Sequence, residues 1–440
     1  MDYVQVLQEW TAWFLGWPII FYVVPISIFC TLFLGFVQIR YFFTAWKLTL
    51  CPSKEAAPSS GEMTSLQAFL NTLSANLGNG SLAGMATAVY AGGPGAALWV
   101  VIIGLFLMSV RFVEVFLGAD YSRERTRPGL GGPMLYMKDV PGGSFLLWTY
   151  AIVGTFFGII VGNGIQANSV CNSVTSTWGV YPIITAVILL FFSLYIVSGG
   201  AQRVAKASEA IVPIKVILFF STSLFVLCYH YQNIPQALHL IVQGACGSLA
   251  LAGGVVGFCM QQAIRFGMSR SIMATESGLG TAAILYGATG SKEPVKDAIM
   301  SMLSTLISTI VCFIIGLAIV ASGVWSNGMT GIALTIATYQ TVFGAAGGWI
   351  VSFLSISFGI GVLVAFAYIG RETWFFVTGG RYGRLFEAVY CIVSFVCALA
   401  SVELVWIMAE LSGAIMLIAN LWALVWLLPR TKRALKAFKA

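Results

Sequence analysis

Four windows of this chain, 63–110, 140–202, 216–264 and 298–370, contain no Asp, Glu, Lys or Arg. Each is long enough for two membrane crossings of about 20 predominantly apolar residues. Lipid cannot hydrogen-bond a backbone, so windows of this kind close their own bonds as helices. Charged residues make up 9% of the chain and hydrophobic ones 59%, whereas soluble domains carry roughly a quarter charged residues. A multi-pass helical membrane protein follows, as one integrated bundle over residues 1–440. The first apolar run follows Asp2 and Glu9, not the basic stretch of a cleaved signal, and reads as a span. Nine cysteines are scattered without a CxxC, which leaves small apolar packing residues and no disulfide or metal framework.

The pattern predicts eleven spans, near 13–39, 65–91, 95–119, 143–168, 181–199, 205–229, 234–264, 295–321, 346–370, 384–402 and 405–428. Basic residues cluster after every odd-numbered span: Arg40/Lys47/Lys54, Arg123/Arg125/Arg127/Lys138, Arg203/Lys206, Arg265/Arg270/Lys292/Lys296, Arg371/Arg381/Arg384 and Arg430–Lys439. The positive-inside rule then puts the N-terminus outside and the C-terminus in the cytosol of a plasma (bacterial inner) membrane. The net charge of +7 reflects this placement and not affinity for nucleic acid.

One span carries an interruption. Thr72–Pro94 reads TLSANLGNGSLAGMATAVYAGGP, an apolar helix broken at Gly78-Asn79-Gly80. A buried break survives only inside protein or against a polar cavity, and secondary transporters bind substrate and coupling ions at such breaks. A second glycine-rich stretch, GACGSLALAGGVVG at 244–257, lies five spans later in a span of opposite direction. That offset predicts an inverted five-plus-five repeat, 65–229 and 234–428, with 13–39 as an additional first span and 429–440 as a basic cytosolic tail. Amides at a half-helix N-terminus suit a substrate carboxylate, and freed carbonyls suit a cation. Together they suggest a small zwitterion such as an amino acid, with Ala75, Ala83 and Ala167 keeping the pocket small.

Five motifs resemble one family. LGNGSLAGMATAVYAGGPGA (77–96), GGPMLYMKD (131–139), GNGIQANS (162–169), GGAQRVAKASEAIVPI (199–214) and RFGMSRSIMATESGLG (265–280) are similar, in order, to signatures of the alanine-or-glycine:cation symporters. The resemblance implies the leucine-transporter-like fold. It also implies uptake of alanine, glycine or D-alanine coupled to a cation, usually sodium. It gives Gly78 and Gly80 the family's glycine positions. It places Gln166 in the substrate pocket, where an amide serves both charged ends of an amino acid. Asn79 joins the substrate positions, and Ala75, Asn76 and Ser81 are cation or coupling positions beside the break. Asn163 and Asn168 read as ties between helices.

The chain departs from the family at the coupling positions. Asn79 and Ser81 stand where the family has Thr and Asn. A Ser-Thr pair and a Trp on span 9 become Gly361, Val362 and Phe366, which removes hydroxyl ligands from a sodium position; Ser355 and Ser357 lie one to two turns away. Lys215 appears within span 6, where the family is apolar. An intramembrane lysine is costly and a candidate functional group, and some sodium-independent relatives of the fold carry an ammonium at the sodium site. Lys215 either takes that site and couples transport to a proton, or snorkels or pairs structurally.

The remaining charges have plainer readings. Arg111 and Glu114, at i, i+3, suit a helix-surface ion pair. Glu209 and Glu276 fall in cytosolic motifs and suit inner-gate pairs. Glu403 and Glu410 are secondary candidates for proton acceptance, and His230 and His239 have no coupling role. The chain lacks the nucleophile, base or metal clusters of an enzyme, and no phosphate-binding motif points to ATP or another cofactor beyond a sodium ion. The expected function is cation-coupled import of a small neutral amino acid. An amino-acid-gated channel or a non-transporting sensor is the alternative.

Overall fold

The computed structural model describes residues 16–51, 62–124, 131–246, 255–400 and 402–438, and all regular structure among them is helical. The main helices are α1 (Trp17–Phe33), α2 (Ser65–Asn76), α3 (Asn79–Gly92), α4 (Ala96–Tyr121), α5 (Gly143–Ile159), α6 (Gln166–Trp178), α7 (Pro182–Val197) and α8 (Gly200–Tyr229). They continue with α9 (Ile234–Cys246), α10 (Val255–Thr275), α11 (Thr281–Gly287), α12 (Pro294–Ala321), α13 (Gly331–Phe343), α14 (Ala346–Thr378), α15 (Gly383–Leu399) and α16 (Val402–Ala437). Among the described residues, six stretches are long and apolar enough to cross a membrane: α4, the joined α5–α6, α8, α12, α14 and Glu410–Ala437 of α16. The chain is an all-helical, multi-pass membrane protein.

α2 and α3 are each too short to cross. At 12 and 14 residues and about 1.5 Å of rise per residue, the two supply roughly one crossing between them. α2 begins with a capping box: Thr64 Oγ1 accepts from the Gln67 amide, and Gln67 Oε1 accepts from the Thr64 amide, which satisfies two orphan donors. The interruption is narrower than the expected Gly78-Asn79-Gly80. Only Leu77 and Gly78 leave the helix, and the Ser81 amide already donates to Gly78 O. Gly78 is extended, a conformation open to any residue. Glycine is needed there because a Cβ would lie 2.8 Å from Val362.

A second interruption, Glu276–Gly280, separates α10 from α11. Glu276, Gly278 and Gly280 have φ of 51°, 91° and 89°. Glycine takes that left-handed region freely, but a non-glycine residue there is strained. Sequence pattern placed the second interruption at 244–257. Residues 247–254 of that stretch lie outside the described residues. Around them, α9 lies against the Gly93–Gly95 turn: Gly95 and Gly244 leave no room for a Cβ on either side, and Trp99 Nε1 donates to Ala245 O. The polar stretch Thr275–Gly280 reads as a loop in sequence, and its burial is what makes it an interrupted helix.

α10 packs along α3 so that both interruptions reach the same depth. Gly92 meets Gln262, Ala263 and Phe266, while Gly84 meets Arg270. α1 sits apart from this region, against α4 and α16, where Ser109 Oγ donates to Ser27 O and Tyr22 OH to Ile418 O. Asn163 and Asn168 are inter-helix ties, donating to Tyr390 O and to Cys397 O and Ala400 O.

Candidate functional site

Leaving the helix at Gly78 frees carbonyls at the end of α2, and a lysine fills the gap. Lys215, from α8, is fully buried. Its Nζ donates to Ser74 O and Leu77 O at 3.0 Å each and lies 3.4 Å from Ser74 Oγ. Ser74 Oγ donates in turn to Gly361 O at 2.8 Å, and the Phe358 ring lies 5.5 Å from the ammonium. Snorkelling is therefore overturned: the side chain ends on the interruption, not at a surface. Gly361 is what admits it, since a Cβ there would lie 2.5 Å from Nζ. The lysine and the glycine at 361 are thus packed as partners.

On the other side of the interruption lies a small cavity. Ala75, Asn76, Gly78, Gly80 and Ser81 line it from α2 and α3. Val161, Ile165 and Gln166 face them, with Val362 and Phe366 from α14. Its usable volume is about 60 Å³. At roughly 10–15 Å³ per water-sized atom, it admits about four to six such atoms. Eight of the expected site residues thus share one cavity. Asn79 stands beside it, and Lys215 and Gly361 lie behind α2.

Gln166 is aimed by a π-helical turn, Ile160–Ile165, that joins α5 to α6. Single π-turns inside helices are frequent at functional sites. The turn runs through Gly162, whose missing side chain gives way to the Phe366 ring. Gln166 Oε1 accepts from the Asn79 amide at 3.4 Å and from Asn79 Nδ2 at 3.3 Å. Asn76 differs: it is 3% exposed, and neither its Oδ1 nor its Nδ2 has a partner. A buried polar group without a partner costs about 1–3 kcal/mol, and in Asn76 both polar atoms are in that position beside the cavity. Ser355 and Ser357 lie outside the cavity lining: Ser355 bonds Ser173 Oγ, and Ser357 donates to Leu354 O.

The second interruption supplies the cavity wall that sequence reasoning missed: Arg270, Met273, Ala274 and Glu276. Glu276, expected in an inner-gate pair, lies in this cavity wall. One of its oxygens accepts from Thr281 Oγ1 at 3.0 Å. Arg111 and Glu114 are likewise misread as a surface pair. Both are fully buried, 3.2 Å apart, and they hold the interruption. Arg111 Nη2 donates to Thr275 O, and Glu114 Oε2 accepts from the Gly278 amide at 2.7 Å. Asn420 Nδ2 donates to Gly278 O, Tyr150 OH to Leu279 O and Ser308 Oγ to Ala274 O. Two charges inside an apolar helix, opposite a run of alternating glycines, were the available signal.

The sequence profile described as the Sodium:alanine symporter family matches residues 1–440. The chain belongs to the sodium:alanine symporter family. It is 31% identical to the Sodium/alanine symporter AgcS of Methanococcus maripaludis, over 100% of this chain and 98% of that one. It is 29% identical to the Probable sodium/glutamine symporter GlnT of Bacillus subtilis, over 94% of this chain and 86% of the relative. Among solved structures, a substrate-bound Na+-coupled sialic acid symporter matches 93% of this chain and 85% of its own, with a TM-score of 0.51 and 13% identity. That likeness carries the leucine-transporter-like fold alone. Proteins of this family are secondary transporters and not enzymes, and in this chain two interrupted helices meet over the cavity.

Proposed function

We propose that the protein is a secondary active symporter that imports a small neutral amino acid (alanine, glycine or D-alanine) and couples this to a cation at the α2–α3 interruption. Family membership and the names of relatives such as the sodium/alanine symporter support amino-acid symport. The cavity volume favours a substrate of alanine size. The observation that carries the coupling reading is the Lys215 ammonium on Ser74 O and Leu77 O. Carbonyl oxygens at a broken helix are what a hard cation would take, and here a protonated amine takes them. A charged Lys215 ties α8 to the interruption through charge-assisted hydrogen bonds, and loss of its proton weakens its hold on those two carbonyls. Coupling at this position is then to a proton.

Sodium coupling remains as a second reading on one observation: Asn76 Oδ1 is buried and without a partner beside the cavity. In either case the two halves 65–229 and 234–428 are taken as the moving repeats of one domain. The N-terminus is outside and the C-terminus cytosolic.

The test is labelled alanine uptake into proteoliposomes under an imposed sodium gradient or an imposed proton gradient. Accumulation driven by protons alone, and lost in Lys215→Met while alanine binding persists, supports the lysine reading. Sodium-driven accumulation that survives Lys215→Met transfers the coupling site to the Asn76 side. Equilibration without accumulation under both gradients overturns symport in favour of a channel, and binding without uptake favours a sensor.

A further inference from the structure

Two opposite charges open on the cavity from the second interrupted helix, and neither neutralises the other. Arg270 comes from α10, is half-buried and, among the described residues, makes a single hydrogen bond, a long one of 3.4 Å from Nη1 to Gly80 O. No carboxylate lies within ion-pair distance of it among the described residues; Glu410 is its electrostatic neighbour at longer range. A guanidinium carries five donors, so most of its capacity is open. Its place is built: Gly84 has no side chain where the guanidinium crosses α3, and a Cβ there would collide with it. Glu276 sits where the helix stops, in a left-handed conformation that a non-glycine residue rarely takes. Strain of this kind persists where the surroundings over-determine it and clusters at ligand sites. The positive charge that acts on it is Arg111, which is engaged with Glu114 and Thr275 O. Between these walls lies Asn76, buried, with both polar atoms unpartnered.

We infer that Arg270 and Glu276 read the substrate as a zwitterion, Arg270 taking the carboxylate and Glu276 the ammonium of one amino acid. This rests on the amino-acid reading of the same cavity. An unpaired guanidinium and an unpaired carboxylate in a space of four to six atoms exclude a ligand that lacks either charge. A site built to pair a polar group rejects the analogue without it, because its own buried group is then left unsatisfied. Asn76 offers an acceptor and two donors between the two ends. Arg270 and Glu276 are thus the specificity-determining residues for the free α-carboxylate and α-amine. The side chain of the substrate is limited only by volume.

The experiment measures binding to purified full-length protein by thermal shift or intrinsic fluorescence, with alanine, alaninamide (no carboxylate) and lactate (no amine) as probes. Charge-assisted hydrogen bonds set the scale, so wild type is expected to prefer alanine over each analogue by roughly 10- to 100-fold. Arg270→Gln is expected to collapse the alanine-over-alaninamide ratio toward one and leave the alanine-over-lactate ratio in place. Glu276→Gln is expected to do the reverse. Arg270→Lys restores part of the first ratio and Glu276→Asp part of the second. Equal loss of all three probes in both glutamine variants would make the residues structural and overturn the inference. Alaninamide binding to wild type as tightly as alanine would do so without any variant. Binding is read apart from transport: alanine binding without accumulation defeats the symport reading and leaves the zwitterion clamp standing.

Discussion

The two interrupted helices of this protein solve the same problem in opposite ways. At Glu276–Gly280 the freed backbone groups are met by fixed side chains: Arg111, Glu114, Asn420, Tyr150 and Ser308 each take one. At Leu77–Gly78 the freed carbonyls are met by one titratable group, Lys215, and Asn76 next to them is left without partners. Both breaks are buried, so both must be satisfied. The difference is whether the satisfying group is fixed or exchangeable. Where an ion pair and fixed polar side chains close the backbone groups, the backbone is scaffold, and only the Glu276 side chain faces the cavity from that break. At Leu77–Gly78 a single lysine amine closes the carbonyls, and the Asn76 side chain beside the cavity is without a partner.

The sharpest way to break this contrast is Glu114→Ala. It leaves Arg111 buried without its carboxylate and the Gly278 amide without an acceptor, at an expected cost of about 3–5 kcal/mol. Thermal unfolding in detergent should show this loss, with alanine binding falling only as the folded fraction falls. A specific loss of binding in folded protein would make the second interruption as exchangeable as the first.

Gly361→Ala tests the first interruption from behind. Its Cβ would lie 2.5 Å from Lys215 Nζ, and overpacking of this kind costs about 1–3 kcal/mol. In the Lys215→Met background the same change should cost less, because the thioether makes no bonds to Ser74 O and Leu77 O and can shift. Unfolding midpoints of the four proteins of that double-mutant cycle measure the coupling. Additive effects would mean that glycine and lysine are not partners.

Asn168→Ala removes two bonds to the end of α15. An expected loss of about 1 kcal/mol, with an unchanged KM for alanine, would confirm a tie remote from the cavity. The smallest effect on stability belongs to Gly84→Ala. Alanine favours a helix by about 1 kcal/mol over glycine, and the displaced atoms belong to the flexible end of Arg270. Stability should stay near wild type while alanine binding weakens, as read by titration.

Much of the site on α2 and α3 was legible because glycine inside a charge-free window is hard to explain otherwise. Gln166 and Phe366 were found through motif resemblance, and they face the same cavity as Gly78 and Gly80. Lys215 was visible as a charge in an apolar helix, but its partners were not. They depend on Ser74 and Leu77, whose carbonyls carry no sequence signal. Glu276 and the Arg111–Glu114 pair were misplaced for one shared reason. A stretch such as Thr275–Gly280 has the composition of a solvated loop, and composition does not say which polar stretches are buried.

The sequence by itself determined that this chain is a helical membrane protein, where its apolar windows lie, and that one helix breaks within a few residues of Gly78-Asn79-Gly80. These follow from local facts: hydropathy, charge spacing and the backbone's need for hydrogen bonds in lipid. Only the tertiary structure decided which interruption faces the first, that a lysine amine fills the carbonyl gap, and that Arg270 and Glu276 share a cavity with Asn76. Those depend on contacts between residues far apart in the chain, where burial, and not residue type, sets whether a charge is solvated, paired or waiting for a ligand.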